Sequence, residues 1–248
     1  MSNKVNEEDN ILEIKNLYMK YKKSDKHFTL NDLNFNVKKG DFHAFIGENG
    51  AGKSSTIKII SGLNNDFEGD VLINGLNTRE NFNSRNGFFY IPDKNFFPSY
   101  QSVFDYLYNV AVLTRNDKEK IKIEINDLAK KFDIEEIIER NPNKLSSGQA
   151  KKVLLIQAIL TKVNFLILDE PTTFLDSTTR IILLNELKRM NQENNTTIFI
   201  STHILDEIKN YINSVTFIKK GNVKWSGKIK GEDLIKRYHE VILGEQND

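Results

Sequence analysis

The 248-residue sequence contains no cysteine and only one tryptophan. A chain without cysteine cannot form disulfides, bind iron–sulfur clusters or zinc through its own thiolates, or use a cysteine nucleophile. The absence is consistent with a protein of the reducing cytoplasm. The catalytic chemistry, if there is any, must therefore depend on carboxylates, hydroxyls, amines or histidine.

The sequence also lacks an excess of charge and a long apolar run. Thirty-five basic and thirty-four acidic side chains leave a net charge of +1, so no global field attracts nucleic acid or an anionic membrane. We accordingly predict no nucleic-acid partner. Apolar runs such as Val153 to Ile156 are far shorter than the roughly 20 residues of a membrane span, and the segment from Met1 to Asn10 is polar. If the protein acts at a membrane, other chains must cross the bilayer.

The order of predicted elements indicates an α/β protein. The first ninety residues read as strands, among them Phe88 to Ile91, with one helix after residue 54, and the stretch from Ser102 has apolar residues at helical spacing. Apolar strands and helices then alternate from Gly148 onward and end with a helix over Ile204 to Tyr211, followed by a hairpin and an amphipathic helix from Glu232 to Ile242. This order favours a mixed or parallel sheet with a helical arm. For the last helix, we expect its apolar stripe to pack against its own core, and a dimer contact is the alternative.

Residues 47 to 54 match the phosphate-binding pattern G-x-x-x-x-G-K-[ST]. Glycines in this loop let consecutive backbone N–H groups approach phosphate oxygens, which a Cβ would obstruct. Lys53 would add a positive charge, and Ser54 would offer its hydroxyl oxygen to Mg²⁺. The predicted strand before the loop and the predicted helix after it are the setting that this motif requires. The pattern predicts a nucleoside triphosphate site.

A second group of polar residues follows the apolar strand Phe165 to Leu168. One carboxylate of the pair Asp169-Glu170 can take part in a Mg²⁺ shell, and the other can orient or deprotonate an attacking water. A third segment, Leu145-Ser146-Ser147-Gly148-Gln149, lies between the two motifs. Taken alone, it indicates a helix start capped by Ser146 or Ser147.

These segments in this order, with Pro171-Thr172 after Glu170 and Ser201-Thr202-His203 after a later strand, resemble the nucleotide-binding subunit of an ATP-binding-cassette (ABC) transporter. The resemblance extends from Ile11 to Gly227. It implies the ABC ATPase fold, in which a P-loop core is joined by an antiparallel β subdomain and a helical arm. The implied divisions of one domain are 11–92 and 156–227 for the core with its β subdomain, 93–155 for the helical signature subdomain, and 228–248 for the C-terminal helix and tail.

The resemblance also implies a role for each motif residue. Adenine would stack on Tyr21, with Tyr18 as a nearby competitor, and the phosphates would be held by Asn49, Gly50, Ala51, Gly52, Lys53, Ser54 and Ser55. Catalysis would depend on Lys53, on Glu170 as general base and on His203 at the γ-phosphate. Mg²⁺ would be bound by Ser54, Asp93 and Asp169.

The same resemblance implies partners. The signature residues Ser146, Ser147, Gly148 and Gln149 would close over ATP held by a second cassette, identical or related, so that ATP binding clamps two subunits and hydrolysis releases them. An integral membrane permease would receive this motion, which places the protein at the cytoplasmic face of the membrane. The residues that occupy the motifs most resemble those of the drug, antibiotic and peptide export branch.

Three residues depart from the family pattern. Ser147 replaces a glycine, Asp93 stands where many relatives have glutamine, and Phe174 occupies a place that is usually small. Each could slow a composite site, although none removes the lysine, the glutamate or the histidine.

Alternative functions remain at this point. Aromatic residues at the start of the arm, namely Phe96, Phe97, Tyr100 and the intervening Pro98, would form either a docking patch for a permease or part of the core of the arm. A soluble assembly ATPase without a membrane partner is the main alternative to a transporter. A chromosome or repair ATPase is disfavoured because only 92 residues separate Lys53 from Leu145, and a translation-associated double cassette is disfavoured because only one set of motifs is present.

Overall fold

The computed structural model describes residues 9–21, 29–93, 97–230 and 233–244. Ten strands are present in these ranges: β1 (Asn10–Met19), β2 (Leu30–Lys38), β3 (Phe42–Ile46), β4 (Glu68–Ile73), β5 (Leu76–Asn77), β6 (Phe88–Ile91), β7 (Phe165–Asp169), β8 (Thr197–Thr202), β9 (Ser214–Lys219) and β10 (Asn222–Lys228). The same ranges contain α1 (Lys53–Ile60), α2 (Val103–Thr114), α3 (Lys118–Lys131), α4 (Ser147–Thr161), α5 (Ser177–Asn194), α6 (Leu205–Ile208) and α7 (Leu234–Tyr238).

The strands form two sheets. The larger has the order β10-β9-β3-β8-β7-β6, with parallel pairing except at the β9-β10 hairpin. The smaller sheet, β2-β1-β4-β5, is antiparallel throughout. The predicted fold class, a mixed core sheet with an antiparallel subdomain and helices, is confirmed.

Central strands of the larger sheet are buried on both faces. In β7, Leu166 and Leu168 belong to the cluster that includes the arm helices, whereas Phe165 and Ile167 belong to the cluster beneath the smaller sheet. Strands β3 and β8 alternate between the two clusters in the same way. This explains why these strands read as continuous apolar runs rather than as alternating patterns.

The parallel strands bring three polar segments to one edge of the larger sheet. The P-loop follows β3, Glu170 follows β7, and His203 follows β8. The register pairs Asp169 with Ser201 and Ile46 with Thr202, so the three strands end at the same level. Ligands of open α/β sheets bind outside such carboxyl ends.

Helices α2, α3 and α4 form the arm. Helix α4 is almost entirely buried because it packs against the other two arm helices and also against the core. A buried carboxylate on α5, Glu186, forms ion pairs with Lys131 of α3 and Arg189 of its own helix. Helix α3 is thereby attached to the core by charge as well as by apolar contact.

Two helices differ from their predicted extents. Helix α6 ends at Ile208 rather than Tyr211, because the N–H of Tyr211 donates to Ile208 in a turn that leads into β9. The C-terminal segment forms α7 and then a π-helix, His239–Leu243; Glu232, its predicted start, lies outside the described residues. Leu234 and Ile242 are buried in the protein's own core, as expected. In the part of the chain that the structure describes, no helix is long and apolar enough to cross a bilayer.

Candidate nucleotide-binding site

The P-loop connects β3 to α1 in a conformation that requires glycine at two positions. A Cβ at Gly47 would lie 2.4 Å from the carbonyl oxygen of Ile218, which is backbone and cannot move aside easily. Gly52 has φ 109° and caps α1, and a Cβ there would lie 2.7 Å from Leu30. The backbone can therefore curl tightly before the helix N-terminus, which is the geometry of an anion cradle.

Lys53, the first residue of α1, turns its buried side chain back into this loop. Its Nζ donates to the carbonyl oxygens of Gly47 at 2.6 Å and Glu48 at 3.2 Å. The same ammonium lies 3.3 Å from Oε1 of Glu170. The positive charge is thus already oriented at the mouth of the loop.

Glu170 lies between two partners that come from different segments. Besides the contact with Lys53, its Oε2 lies 3.0 Å and its Oε1 3.2 Å from Nδ1 of His203. The backbone of Glu170 has φ 47°, a left-handed conformation that is unusual for glutamate. Lys53 and His203, each predicted from a different motif, therefore both contact the carboxylate of Glu170, which a third motif predicted.

Ser201 belongs to the predicted motif Ser201-Thr202-His203, but its role in the site was not predicted. Its hydroxyl donates to Oδ1 of Asp169 at 2.6 Å and accepts from the backbone N–H of Glu170 at 3.0 Å. From the neighbouring strand it therefore orients the carboxylate of Asp169 and the backbone of Glu170. Its position directly before Thr202-His203, at a strand end, was the available signal.

A cavity of about 460 Å³ opens in front of these groups. Its lining residues come from the P-loop side, the β7 and β8 ends and the first strands: Tyr21, Thr29, Asn49, Gly50, Gly52, Lys53, Ser54, Ser55, Asp93, Glu170, Thr173, Phe174 and His203. Tyr21, rather than Tyr18, borders the cavity; it is 64% exposed, and its hydroxyl lies 2.8 Å from Oγ of Ser55. Ala51 is buried and does not line the cavity, although its carbonyl oxygen accepts from Gly221.

The residues predicted to bind Mg²⁺ lie around the cavity. Ser54 and Asp93 line it, and Asp169 is 2% exposed directly behind Glu170. Oxygen donors of this kind, few in number, suit Mg²⁺, which keeps waters and takes ligands from substrate phosphates. Consistently, no group of three or more acidic or histidine residues in the described ranges forms a metal cage of its own.

The four signature residues lie apart from this cavity. Ser146 and Gln149 form a capping box: the N–H of Gln149 donates to Oγ of Ser146 at 3.2 Å, and the N–H of Ser146 donates to Oε1 of Gln149 at 3.1 Å. Both serines are exposed. In the described chain, none of the four lines the nucleotide cavity.

A second cavity of about 390 Å³ lies between the arm and the signature loop. Ser147 and Lys151 line it, and it shares Asp93 and Phe174 with the nucleotide cavity. Phe174 is 70% exposed with φ 67°, and its carbonyl oxygen would be 3.1 Å from a Cβ at Gly148. The loop after β7 therefore lies against the signature.

Another cavity, of about 560 Å³, lies beside β10 and α7. Trp225 and several exposed lysine and arginine side chains line it, and it shares no residue with the nucleotide cavity. Size alone is a poor guide here, since the strand ends and the P-loop carry the chemistry.

The fold and this site define a P-loop nucleoside triphosphatase with a helical arm. The sequence pattern of the ABC transporter family matches residues 30–173, more than half of the chain. The protein therefore belongs to the ABC transporter family.

Curated relatives agree with this assignment. A protein of Mycoplasma pneumoniae named as an ABC transporter ATP-binding protein is 38% identical over 220 residues, covering 89% of this chain and 67% of the relative. The energy-coupling factor transporter ATP-binding protein EcfA1 of Streptococcus sanguinis is 32% identical, covering 87% of this chain and 78% of the relative.

Solved structures show the same fold. The ATP-binding subunit of an ABC transporter superposes with a TM-score of 0.80 at 30% identity, covering 93% of this chain and 94% of the other. The cbiO1 protein of Clostridium perfringens, part of the ABC transporter complex cbiONQ, has a TM-score of 0.72 at 26% identity and covers 96% and 97%. A dimeric cassette bound to ADP and phosphate, at 23% identity and TM-score 0.78, covers 88% and 99% and is evidence for the fold alone.

Proposed function

We propose that this chain is the ATP-hydrolysing subunit of an ABC transporter, that it works as one of two cassettes, and that it drives a separate membrane permease. The observation that carries the proposal is the convergence of Lys53 and His203 on the carboxylate of Glu170. It supports the proposal because an ammonium, a carboxylate and a histidine lie at the edge of one cavity, beside the P-loop.

The geometry supports in-line attack of water on the γ-phosphoryl group. The amides of the P-loop and Lys53 would neutralise phosphate charge, and Glu170 would accept the proton of the attacking water. His203 would keep Glu170 oriented and contact the γ-phosphate. When bound, Mg²⁺ would neutralise charge on the β- and γ-phosphate oxygens, held from the protein side by Ser54, Asp169 and Asp93.

Tyr21 would receive the adenine. Its ring is largely exposed at the rim of the cavity and its hydroxyl is bound to Ser55, so the ring is oriented before any base arrives. Stacking on an exposed, oriented aromatic ring contributes on the order of 1–3 kcal/mol by analogy with bases on protein aromatics.

A second cassette would complete the site. Ser146, Ser147, Gly148 and Gln149 lie outside the nucleotide cavity of their own chain, on the exposed first turn of α4. We infer that they cover ATP held by a partner cassette. The dimeric neighbour bound to ADP and phosphate is a precedent in this fold.

The arm, residues 93–155 in our division, would receive the permease. Tyr100 is 98% exposed near the start of the arm, whereas Phe97 packs edge-on against Tyr106, with 5.2 Å between ring centroids. Phe96 lies outside the described residues. We therefore place Tyr100 in the permease contact and Phe97 in the core of the arm. The protein would associate with the membrane peripherally, through that permease.

The direction of transport stays a prediction. The residues of the motifs resemble those of the export branch, whereas the relatives include energy-coupling factor ATPases and a member of a cbiONQ complex. A transport assay in both vesicle orientations would decide between export and import.

The test is to express the chain with the membrane proteins encoded beside it and to purify the assembly in mild detergent. A stoichiometric permease that raises the ATPase rate after reconstitution supports the proposal, and the Tyr100→Ala variant should lose that stimulation while keeping its basal rate. If the active ATPase binds only soluble partners, the assembly-ATPase alternative replaces the transporter.

A further inference from the structure

Helix α4 contains a buried lysine that none of the motifs explains. Lys151 is 2% exposed, and its Nζ has no hydrogen-bond partner among the described residues. A buried ammonium group is strongly disfavoured unless nearby negative charge compensates for the water that it loses. Its presence two residues after the signature therefore calls for such a charge.

The compensating charge comes from the nucleotide site. Burial lowers the pKa of Lys151, and the carboxylates of Asp93, Asp169 and Glu170, in that order, oppose the shift. Asp93 and Lys151 line the same 390 Å³ cavity, and Asp93 also lines the nucleotide cavity. Among the described residues Asp93 forms no ion pair, with Lys151 or with any other residue, so the two groups act on each other across the cavity that both line.

We propose that Lys151 is a positioning residue for Asp93. Its positive charge attracts the Asp93 carboxylate across the cavity that both line, favours its position at the boundary of the two cavities, and so connects the helix that begins with the signature to the nucleotide cavity. This inference rests on the proposed function, since Asp93 has a catalytic position to keep only if the cavity binds ATP with Mg²⁺.

The contribution of Lys151 should depend on Asp93. Lys151→Met removes the charge while keeping a long apolar side chain in the buried space. We expect kcat for ATP hydrolysis to fall about 10-fold with KM changed less than about 2-fold, because positioning is lost while the P-loop still binds ATP. In the Asp93→Gln background, the same change should have no further effect.

A purely structural role for Lys151 gives a different result. In that case Lys151→Met would lower kcat by the same factor with or without Asp93, and this outcome would overturn the proposal. Lys162→Met is the matched control, because Lys162 is an exposed lysine at the other end of α4.

A second measurement needs no hydrolysis. In nucleotide-free protein, Asp93→Gln should lower Tm when Lys151 is present, because the buried cation loses a compensating charge, and should leave Tm unchanged beside Lys151→Met. Lys151→Met alone should not lower Tm. Additive Tm shifts would overturn the pairing. If Lys151→Met does not yield folded protein, Lys151→Gln is the neutral variant for the same comparison.

The two measurements separate the two proposals. Coupled Tm shifts in a protein that neither binds nor hydrolyses ATP would keep the Lys151–Asp93 pair and reject the ATPase. Normal hydrolysis with independent Tm and kcat effects would keep the ATPase and reject the pair.

Discussion

The catalytic edge of the larger sheet and the signature end of α4 differ in how their polar groups are satisfied. At the edge, Lys53 and His203 both contact Glu170, although the three residues come from three segments. At the signature, the side chains of Ser146 and Gln149 each accept from the backbone N–H of the other residue, within one turn of one helix. The first region is assembled within a single chain, whereas the second is a finished helix start that presents its serines outward. A site divided in this way would bind ATP in one chain and complete its closure with another.

We expect the largest effect when the carboxylate of Glu170, which Lys53 and His203 both contact, is neutralised. Glu170→Gln should reduce steady-state phosphate release by about 100-fold to 1,000-fold, because the amide cannot accept the proton of the attacking water. ATP binding should persist, and the ATP-bound dimer should accumulate on size-exclusion chromatography. Glu136→Gln, at an exposed glutamate in the arm, is the control. Unchanged hydrolysis in Glu170→Gln would remove Glu170 from the role of base.

A second test breaks the same edge at its cation. Lys53→Met should weaken ATP binding by about 10-fold to 100-fold, since charge-assisted hydrogen bonds contribute about 1.5–3 kcal/mol. Fluorescent-nucleotide titration measures the change, and Lys58→Met, an exposed lysine on α1, should bind as the parent does. Equal affinity in Lys53→Met and the parent would mean that the loop does not direct this ammonium at phosphate.

The strand beneath the P-loop offers a test by pH. His43 is fully buried, its ring nitrogens lie 2.9 Å from Oγ of Ser214 and 3.0 Å from Oγ1 of Thr216, and burial, with Lys228 nearby, lowers its pKa from 6.5 to about 3. Between these values the unfolded chain binds the proton and the folded chain does not, so stability falls as pH decreases.

From this shift we expect a loss of about 2 kcal/mol in the free energy of unfolding between pH 7 and pH 5. Urea unfolding at both pH values measures it. His43→Gln should show a smaller loss over the same interval, because the amide does not titrate. Equal losses in the two proteins would show that His43 is protonated in the folded state.

The smallest effect is expected at the signature. Ser146→Ala removes the side-chain acceptor of the capping box and should lower stability by about 1 kcal/mol, or about 2–4 °C in Tm. Ser147→Ala is the control because Ser147 accepts no capping bond from a described residue. A loss at Ser147 equal to that at Ser146 would contradict the observed cap.

Much of the fold follows from local pattern. Strand β6 covers the residues predicted for it, Phe88–Ile91, and the helical spacing after Ser102 corresponds to α2 and α3. Helix α6 is one of two exceptions: the apolar pattern continues to Tyr211, but the chain turns after Ile208 to enter β9. The periodicity of a segment shows which of its faces is apolar. It does not show where the chain must turn to enter the next strand.

Within the site, the sequence determined which residue types are present and in what order, and this was enough to identify the family and to predict the P-loop, Asp169-Glu170 and His203. Only the tertiary structure decided that Lys53 and His203 both contact the carboxylate of Glu170, because the register of parallel strands brings together residues that are distant along the chain. It also decided that Lys151 is buried and that the signature lies outside its own nucleotide cavity. The physical reason is the same in each case: motif spacing records local geometry, whereas burial and charge compensation depend on which segments the sheet and the arm place side by side.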